Sequence, residues 1–241
     1  MPDSFPTDAQ VRALALAILA AAALFTAFPA IDLVVSSWFY RPGAGFWRDG
    51  LALPTAIRLT AWRLTEAMIL AGVAGLLWAA AGRRIAGIAP RVWGFVLALY
   101  ALGPGLLVNL VLKNNWGRAR PADITDFGGA HDFTPPLVLA DACARNCSFV
   151  SGEVSANAAF AISLAVLVRA VRPRLAPATA ATVTWAGVVV ALVGSAQRIT
   201  TGRHFLSDAV FAVLFVLAIA VLLAPLARGA GAGDMPADPP C

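Results

Sequence analysis

Residues 198–226 read RITTGRHFLSDAVFAVLFVLAIAVLLAPL, and two kinds of chemistry meet in that stretch. The second half is an apolar run of the length that crosses a bilayer as a helix, about 17–25 residues. The first half sets Arg198, His204 and Asp208 immediately ahead of it. If the chain is helical there, His204 and Asp208, four apart, share a helix face. An imidazole held by a carboxylate is fixed in one tautomer, leaving its other nitrogen free to attack or to move protons. A permanently charged Arg198 at the edge of an apolar segment requires an anion or water. The plain alternative is an interfacial Arg and His flanking a membrane helix, and this stretch alone leaves both readings open.

The rest of the chain repeats the apolar pattern. Its 241 residues are 60% hydrophobic and 13% charged, with mean hydropathy +0.78, against roughly a quarter charged in a soluble domain. Apolar runs predict spans over 11–29, 64–81, 92–112, 152–168, 178–196 and 207–226. The expected fold is therefore all-α, a polytopic membrane protein with six transmembrane helices. One domain covers 1–228, and the Gly/Ala/Pro/Asp tail 229–241 reads as disordered. The first span reads as an uncleaved helix, since acidic residues accompany its single Arg12. Trp38 to Trp47 reads as an aromatic interfacial belt. Residues 51–63, carrying Arg58 and Arg63, read as lying along the membrane surface, with Glu66 paired to Arg63 or Arg58.

Charge patterning sets the orientation. The net charge is +5, from 18 basic and 13 acidic residues. The basic residues are scattered between spans rather than gathered in an arm, which argues against nucleic acid and for an anionic lipid partner. Arg83, Arg84 and Arg91 fill one short loop and Arg169, Arg172 and Arg174 another, which marks both as cytoplasmic. Six spans then place both termini in the cytoplasm. The loop after the third span, the start of the fourth, the exit of the fifth and the start of the sixth share the periplasmic side, and each carries unusual polar residues.

One of these clusters is Lys113-Asn-Asn-Trp-Gly-Arg118-Ala-Arg120-Pro121, three cations that either anchor lipid headgroups or hold an anion. Another is Cys147-Ser-Phe-Val-Ser151-Gly152-Glu153, leading into a helix. Free N–H groups and the helix dipole there suit a phosphate, while an ordinary Ser cap accounts equally well for Ser151. The Arg198–His204–Asp208 set completes them.

In this order and spacing the three clusters resemble the type 2 phosphatidic acid phosphatase superfamily of membrane lipid phosphatases, which includes the vanadium haloperoxidases. The resemblance implies His204 as a nucleophile forming a phosphohistidine and Asp208 as its orienting group. It implies Lys113, Arg120, Arg198, Ser151 and Gly152 as the phosphate cradle, with no metal and no cofactor. Phosphoryl transfer needs an in-line nucleophile and fixed positive charge, which agrees. Where the family reads Pro-Ser-Gly-His, this chain has Val150-Ser151-Gly152-Glu153, so Glu153 is expected to take the histidine's part as leaving-group acid and later to help water attack the phosphohistidine, with a salt bridge to Arg198 or Lys113 as the plain alternative. Arg118 and Arg203 are expected as headgroup contacts, and the Phe127-Gly-Gly and Phe133-Thr-Pro segments as walls of the headgroup pocket. Cys143 and Cys147 are expected to form a disulfide in an oxidising compartment, and His131 to lie on the surface. The loop with its paired Cys is most similar to the branch acting on lipid A phosphates, beside which other anionic phospholipids stay open as substrates. The expectation is a multi-pass inner-membrane phosphatase of bacteria with a periplasmic site. A phosphotransferase and a non-catalytic lipid-binding relative are the alternatives, and the sequence says nothing of oligomeric state.

Overall fold

The computed structural model describes residues 8–228; the segment 229–241, expected to be disordered, lies outside the described residues. The elements are α1 (Asp8–Ala27), α2 (Ala30–Ser37), a hairpin of β1 (Tyr40–Arg41) and β2 (Gly45–Phe46), α3 (Ala52–Ala80), α4 (Pro90–Asn115), α5 (Gly152–Val171), α6 (Pro177–Thr200) and α7 (Leu206–Arg228). The protein is mostly helical, and six of these helices are long and apolar enough to cross a membrane. Leu16, Leu19, Leu70, Leu77, Trp185, Leu192 and Leu222 are all exposed on their outer faces. Such faces suit a bilayer, where every backbone N–H and C=O must be satisfied within its own helix. The chain is a multi-pass membrane protein.

At the centre of the bundle α5 packs against α3, α4, α6 and α7. Its inward faces carry Ser155, Ala158, Ala159 and Ser163, small residues that let helices approach closely where lipid offers no hydrophobic drive to pack. Met68, Phe95, Val96, Leu99, Phe160 and Val216 fill the space around it. The first helix leans on the last, with Phe25 and Phe211 rings 6.1 Å apart.

Two elements differ from the sequence reading. Residues 51–63 do not lie along the surface; they are the first turns of α3, one continuous 29-residue helix. After Pro54 the sequence has no proline or glycine before Gly72 to break it, so the surface-like Arg pattern did not end the helix. At about 1.5 Å per residue such a helix exceeds the roughly 30 Å hydrocarbon layer, which leaves room for charged turns at its end. Arg63 pairs there with Glu66 at 2.7 Å. In α4, Pro104 removes a backbone donor, and the helix widens into π-helical turns over Ala101–Leu112. Asn109 Nδ2 donates to the Pro104 carbonyl at 2.7 Å.

The long connection from α4 to α5 is ordered by aromatic anchors. Trp116 stacks near Phe149, centroids 4.7 Å apart, and its indole N–H donates to the Pro136 carbonyl. Phe127 packs between Tyr40 and Phe46, and Phe133 against Phe205. These two segments therefore pack as a core behind the loop rather than lining a headgroup pocket as expected. Gly117 turns the chain between Lys113 and Arg118 with φ +72°, where a Cβ would overlap the Ala140 carbonyl. A residue with a side chain there disfavours the left-handed conformation and has no room besides. Cys143 and Cys147 are joined as a disulfide just before α5.

Candidate active site

The three sequence clusters converge at one end of the bundle. Lys113 comes from the end of α4, Glu153 from the first turn of α5, Arg198 from the last turns of α6, and His204 from the turn into α7. A cavity of about 470 Å³ is lined there by Lys113, Arg120, Gly152, Glu153, Arg198 and His204 together. Local structure fixes their directions. The amide of Cys147 donates to the Lys113 carbonyl at 3.0 Å and that of Ser148 to the Arg118 carbonyl at 2.9 Å. Lys113 Nζ in turn donates to the Cys147 carbonyl at 2.9 Å. The Arg120 guanidinium donates to the Asn146 carbonyl at 2.8 Å.

His204 is buried, and its Nδ1 lies 2.9 Å from the Ser148 carbonyl. A carbonyl only accepts, so Nδ1 carries the proton and Nε2 keeps its lone pair. Asp208 stands 3.6 Å from the same Nδ1. Its Oδ2 accepts from the Ser148 hydroxyl at 2.5 Å and from the Phe205 amide at 2.9 Å. The carboxylate thus reaches the imidazole both by its field and through Ser148, a residue without a role in the sequence reading. Burial, partly offset by the Asp208 carboxylate beside the ring, pushes the His204 imidazole down to about 4. At neutral pH the ring is uncharged and Nε2 has a free lone pair.

Behind His204 lies a second layer that sequence reasoning assigned otherwise. Arg118, expected as a headgroup contact, has no exposed surface. Its guanidinium donates to Asp208 Oδ1 at 2.7 Å, to Asp32 Oδ2 at 2.8 Å, to the Ser207 hydroxyl at 2.9 Å and to the Thr134 carbonyl at 2.8 Å. It also stacks over Phe205, 4.2 Å from the ring centroid. The correction has a plain cause: two buried carboxylates need a cation more than the surface does. Asp32, on α2, accepts from the Ser207 amide and hydroxyl as well, and burial raises its carboxyl despite Arg118 beside it. An Asp inside an apolar stretch was the available signal for it. Arg203, the other expected headgroup contact, is half-exposed and paired with Asp49.

Glu153 is held from an unexpected side. Arg58, seven residues into α3, donates to both of its oxygens at 2.9–3.0 Å. Such a forked pair is the strong form of charge-assisted hydrogen bond. Arg198 Nε lies 3.4 Å from Glu153 Oε2 but has no hydrogen-bond partner, although the residue is buried. Arg198 lines the cavity, and a guanidinium there that is not fully hydrogen-bonded suits an anion. Ser151 caps α5, its buried hydroxyl accepting from the Val154 amide at 3.3 Å, so the wall at this point is Gly152 and the ordinary cap accounts for Ser151. A Cβ on Gly152 would press on the Asn109 side chain. His131 is exposed. Among the described residues no group of three or more His, Cys, Asp or Glu side chains is arranged to hold a metal ion.

The depressed imidazole gives a direct check. Burial disfavours the charged ring in the fold, so this contribution to stability is complete above the ordinary value of 6.5 and is lost as pH falls toward about 4. The His204 signal in an NMR titration should show a neutral ring through pH 5–8 with its midpoint near 4. Asp208→Asn should lower the midpoint further, because the carboxylate raises it. A midpoint near 6.5 would contradict the buried, neutral nucleophile.

Comparison with known proteins follows the same residues. The PAP2 superfamily model matches residues 91–230. The chain is 38% identical over 123 residues to the Lipid A 4'-phosphatase of Francisella tularensis subsp. novicida, covering 51% of this chain and 52% of that one. It is 35% identical over 219 residues to the Lipid A 4'-phosphatase of Rhizobium leguminosarum, covering 84% and 90%. With the Rhizobium etli protein of the same name it shares 40% identity over 130 residues, 53% and 47% of the two chains. The match thus spans about half the length of the Francisella and R. etli relatives and nearly all of the R. leguminosarum one. No solved structure matches the chain. A family match over more than half the chain and a full-length relative agree with the converged motifs: the chain belongs to the PAP2 superfamily.

Proposed function

We propose that this membrane lipid phosphatase removes a phosphate from lipid A at the periplasmic face of a bacterial inner membrane, through a phosphohistidine at His204. One observation carries the reading: Lys113, Arg120 and Arg198 converge with a neutral, buried imidazole on a single cavity. The three cations hold the equatorial phosphoryl oxygens, and His204 Nε2 attacks phosphorus in line while the bond to the lipid oxygen breaks and that oxygen leaves as the alcohol with a proton from water. Fixed protein charge does the work here, and the reading invokes no cofactor. Lipid A is favoured as substrate by the names of the three relatives. The whole of 1–228 forms one catalytic domain in this reading, since Asp32 and Arg58 reach the site from outside the family match.

Glu153 takes part in the second half of the reaction. Clamped by Arg58 and flanked by Arg198, it meets the phosphohistidine as a carboxylate, suited to accept a proton from the attacking water. Water then forms the new P–O bond, the P–N bond breaks, and His204 leaves neutral. Of the two parts expected of Glu153, the forked pair that Arg58 makes with both carboxylate oxygens supports the later one, at the attacking water.

His204→Ala should abolish phosphate release from lipid A in detergent while the protein still folds; retained turnover would exclude the covalent route. Glu153→Gln separates the two roles. With an aryl phosphate, which needs no acid, it should release about one alcohol per enzyme in a burst and then turn over roughly 10²–10⁴-fold more slowly. Turnover close to the parent's would return Glu153 to the acid role. The orientation places the Arg83 and Arg172 loops and both termini in the cytoplasm. Reporter fusions at residue 87 should read cytoplasmic and at residue 130 periplasmic, and a cytoplasmic signal at 130 would overturn the periplasmic site.

A further inference from the structure

Three of the groups that line the cavity share one support. Arg120 donates to the carbonyl of Asn146 at 2.8 Å, Lys113 Nζ to that of Cys147 at 2.9 Å, and His204 Nδ1 to that of Ser148 at 2.9 Å. Three consecutive carbonyls thus hold two cations and the imidazole, and Asn146 itself lines the same cavity. A carbonyl accepts a hydrogen bond but carries no net charge. It aims a guanidinium or an ammonium without neutralising it, as a carboxylate would. The ledge fixes direction and leaves the charge for an anion.

Regular structure does not hold this ledge, since no helix or strand runs through residues 132–151. Residues 144–146 are exposed, and Asn146 sits in the left-handed region at φ +54°, which few side chains adopt. What closes the segment on itself is the Cys143–Cys147 bridge, a ring whose last member supplies the middle carbonyl. Cys147 is wholly buried, and its amide donates to the Lys113 carbonyl at 3.0 Å. The Cys143 end is half-buried beside the exposed tip, within reach of a small thiol. The bridge therefore joins the solvent side of the loop to the backbone that directs Lys113 and Arg120.

Resting on the lipid phosphatase reading, we propose that the Cys143–Cys147 bridge positions the phosphate cradle, so that affinity for a phosphate depends on the thiol–disulfide state of this loop. Reduction by a dithiol breaks the S–S bond. Each sulfur gains one electron and one proton, and the dithiol becomes a disulfide. The segment then regains chain freedom at Asn146 and Cys147. Lys113 and Arg120 keep their charge and lose their fixed direction. Ser148 is anchored separately, its hydroxyl by Asp208 and its amide by the Arg118 carbonyl, so His204 keeps its tautomer. The loss falls on anion binding and spares the chemical step.

The test uses the full-length protein in detergent in three states: oxidised, reduced with dithiothreitol and then freed of it, and reoxidised. KM and kcat are measured on p-nitrophenyl phosphate, and the Kd of inorganic phosphate by calorimetry. Reduction should raise both KM and the phosphate Kd about ten-fold, the worth of one well-placed hydrogen bond, with kcat held within about two-fold. Reoxidation should restore both. The double variant Cys143→Ser, Cys147→Ser should match the reduced protein and ignore dithiothreitol, which separates the bridge from Cys241. A bridge that serves the fold alone would lower the active fraction, and so the apparent kcat, with KM and Kd unchanged; that result overturns the proposal. Equal values of all three constants in both states overturn it as well. If the oxidised protein binds phosphate but hydrolyses nothing, the phosphatase reading falls, and the calorimetric arm still decides whether the bridge sets anion affinity. A protein that binds no phosphate in either state overturns both.

Discussion

The site depends on Arg118, a guanidinium with no exposed surface lying between two buried carboxylates. Asp32 ties it to the short helix after the first span, and Asp208 ties it to α7, directly after His204. Removing one partner of such a buried pair costs about 3–5 kcal/mol, because the other is left charged and unpaired. The same arrangement would be no great gain over an apolar core, so stability alone does not account for it. It fixes Asp208, through it Ser148, and through Ser148 the tautomer of His204.

Ahead of that layer the electrostatics run the other way. Lys113, Arg120 and Arg198 crowd together on one cavity, and burial lowers the Arg120 guanidinium from its ordinary value. Like charges gathered in a partly dry cavity repel until an anion enters. Glu153 relieves part of that repulsion, and Arg58 then holds Glu153 in place. Cation crowding and affinity for an anion are thus two sides of one balance, in which an entering anion would supply what the protein's acids leave unmet.

Much of this was legible in the sequence. Six apolar runs gave the six long helices, and the spacing of Lys113, Arg120, Arg198 and His204 gave a set that the fold brings onto one cavity. What was hidden follows a pattern. Arg118 and Arg120 are two residues apart and look alike as letters, yet Gly117 and the extended chain after it send one inward and one to the cavity. Asp32 lies in an apolar stretch and Arg58 in a segment that reads as interface, and only the packing of α2 and α3 against the later helices gives them partners. The aromatic loop segments looked like pocket walls because Phe, Gly and Pro mark exposed loops as readily as buried anchors. Sequence spacing identifies groups that act together along the chain; it is silent on contacts made across it, such as Arg58 with Glu153, 95 residues away.

That last separation bears on modularity. The motif-bearing half of the chain holds His204 and the three cations of the cavity, but one of the two counterions of Glu153 and one of the two counterions of Arg118 come from the first sixty residues. The two halves are therefore matched by charge as well as by shape. A chimera that grafts a foreign N-terminal half onto these motifs would inherit a bundle of the right size with a stranded guanidinium behind the nucleophile and a loosened carboxylate before it. Recombination within such a scaffold is constrained at α2 and α3 to donors that bring an acid and a base at the same two heights.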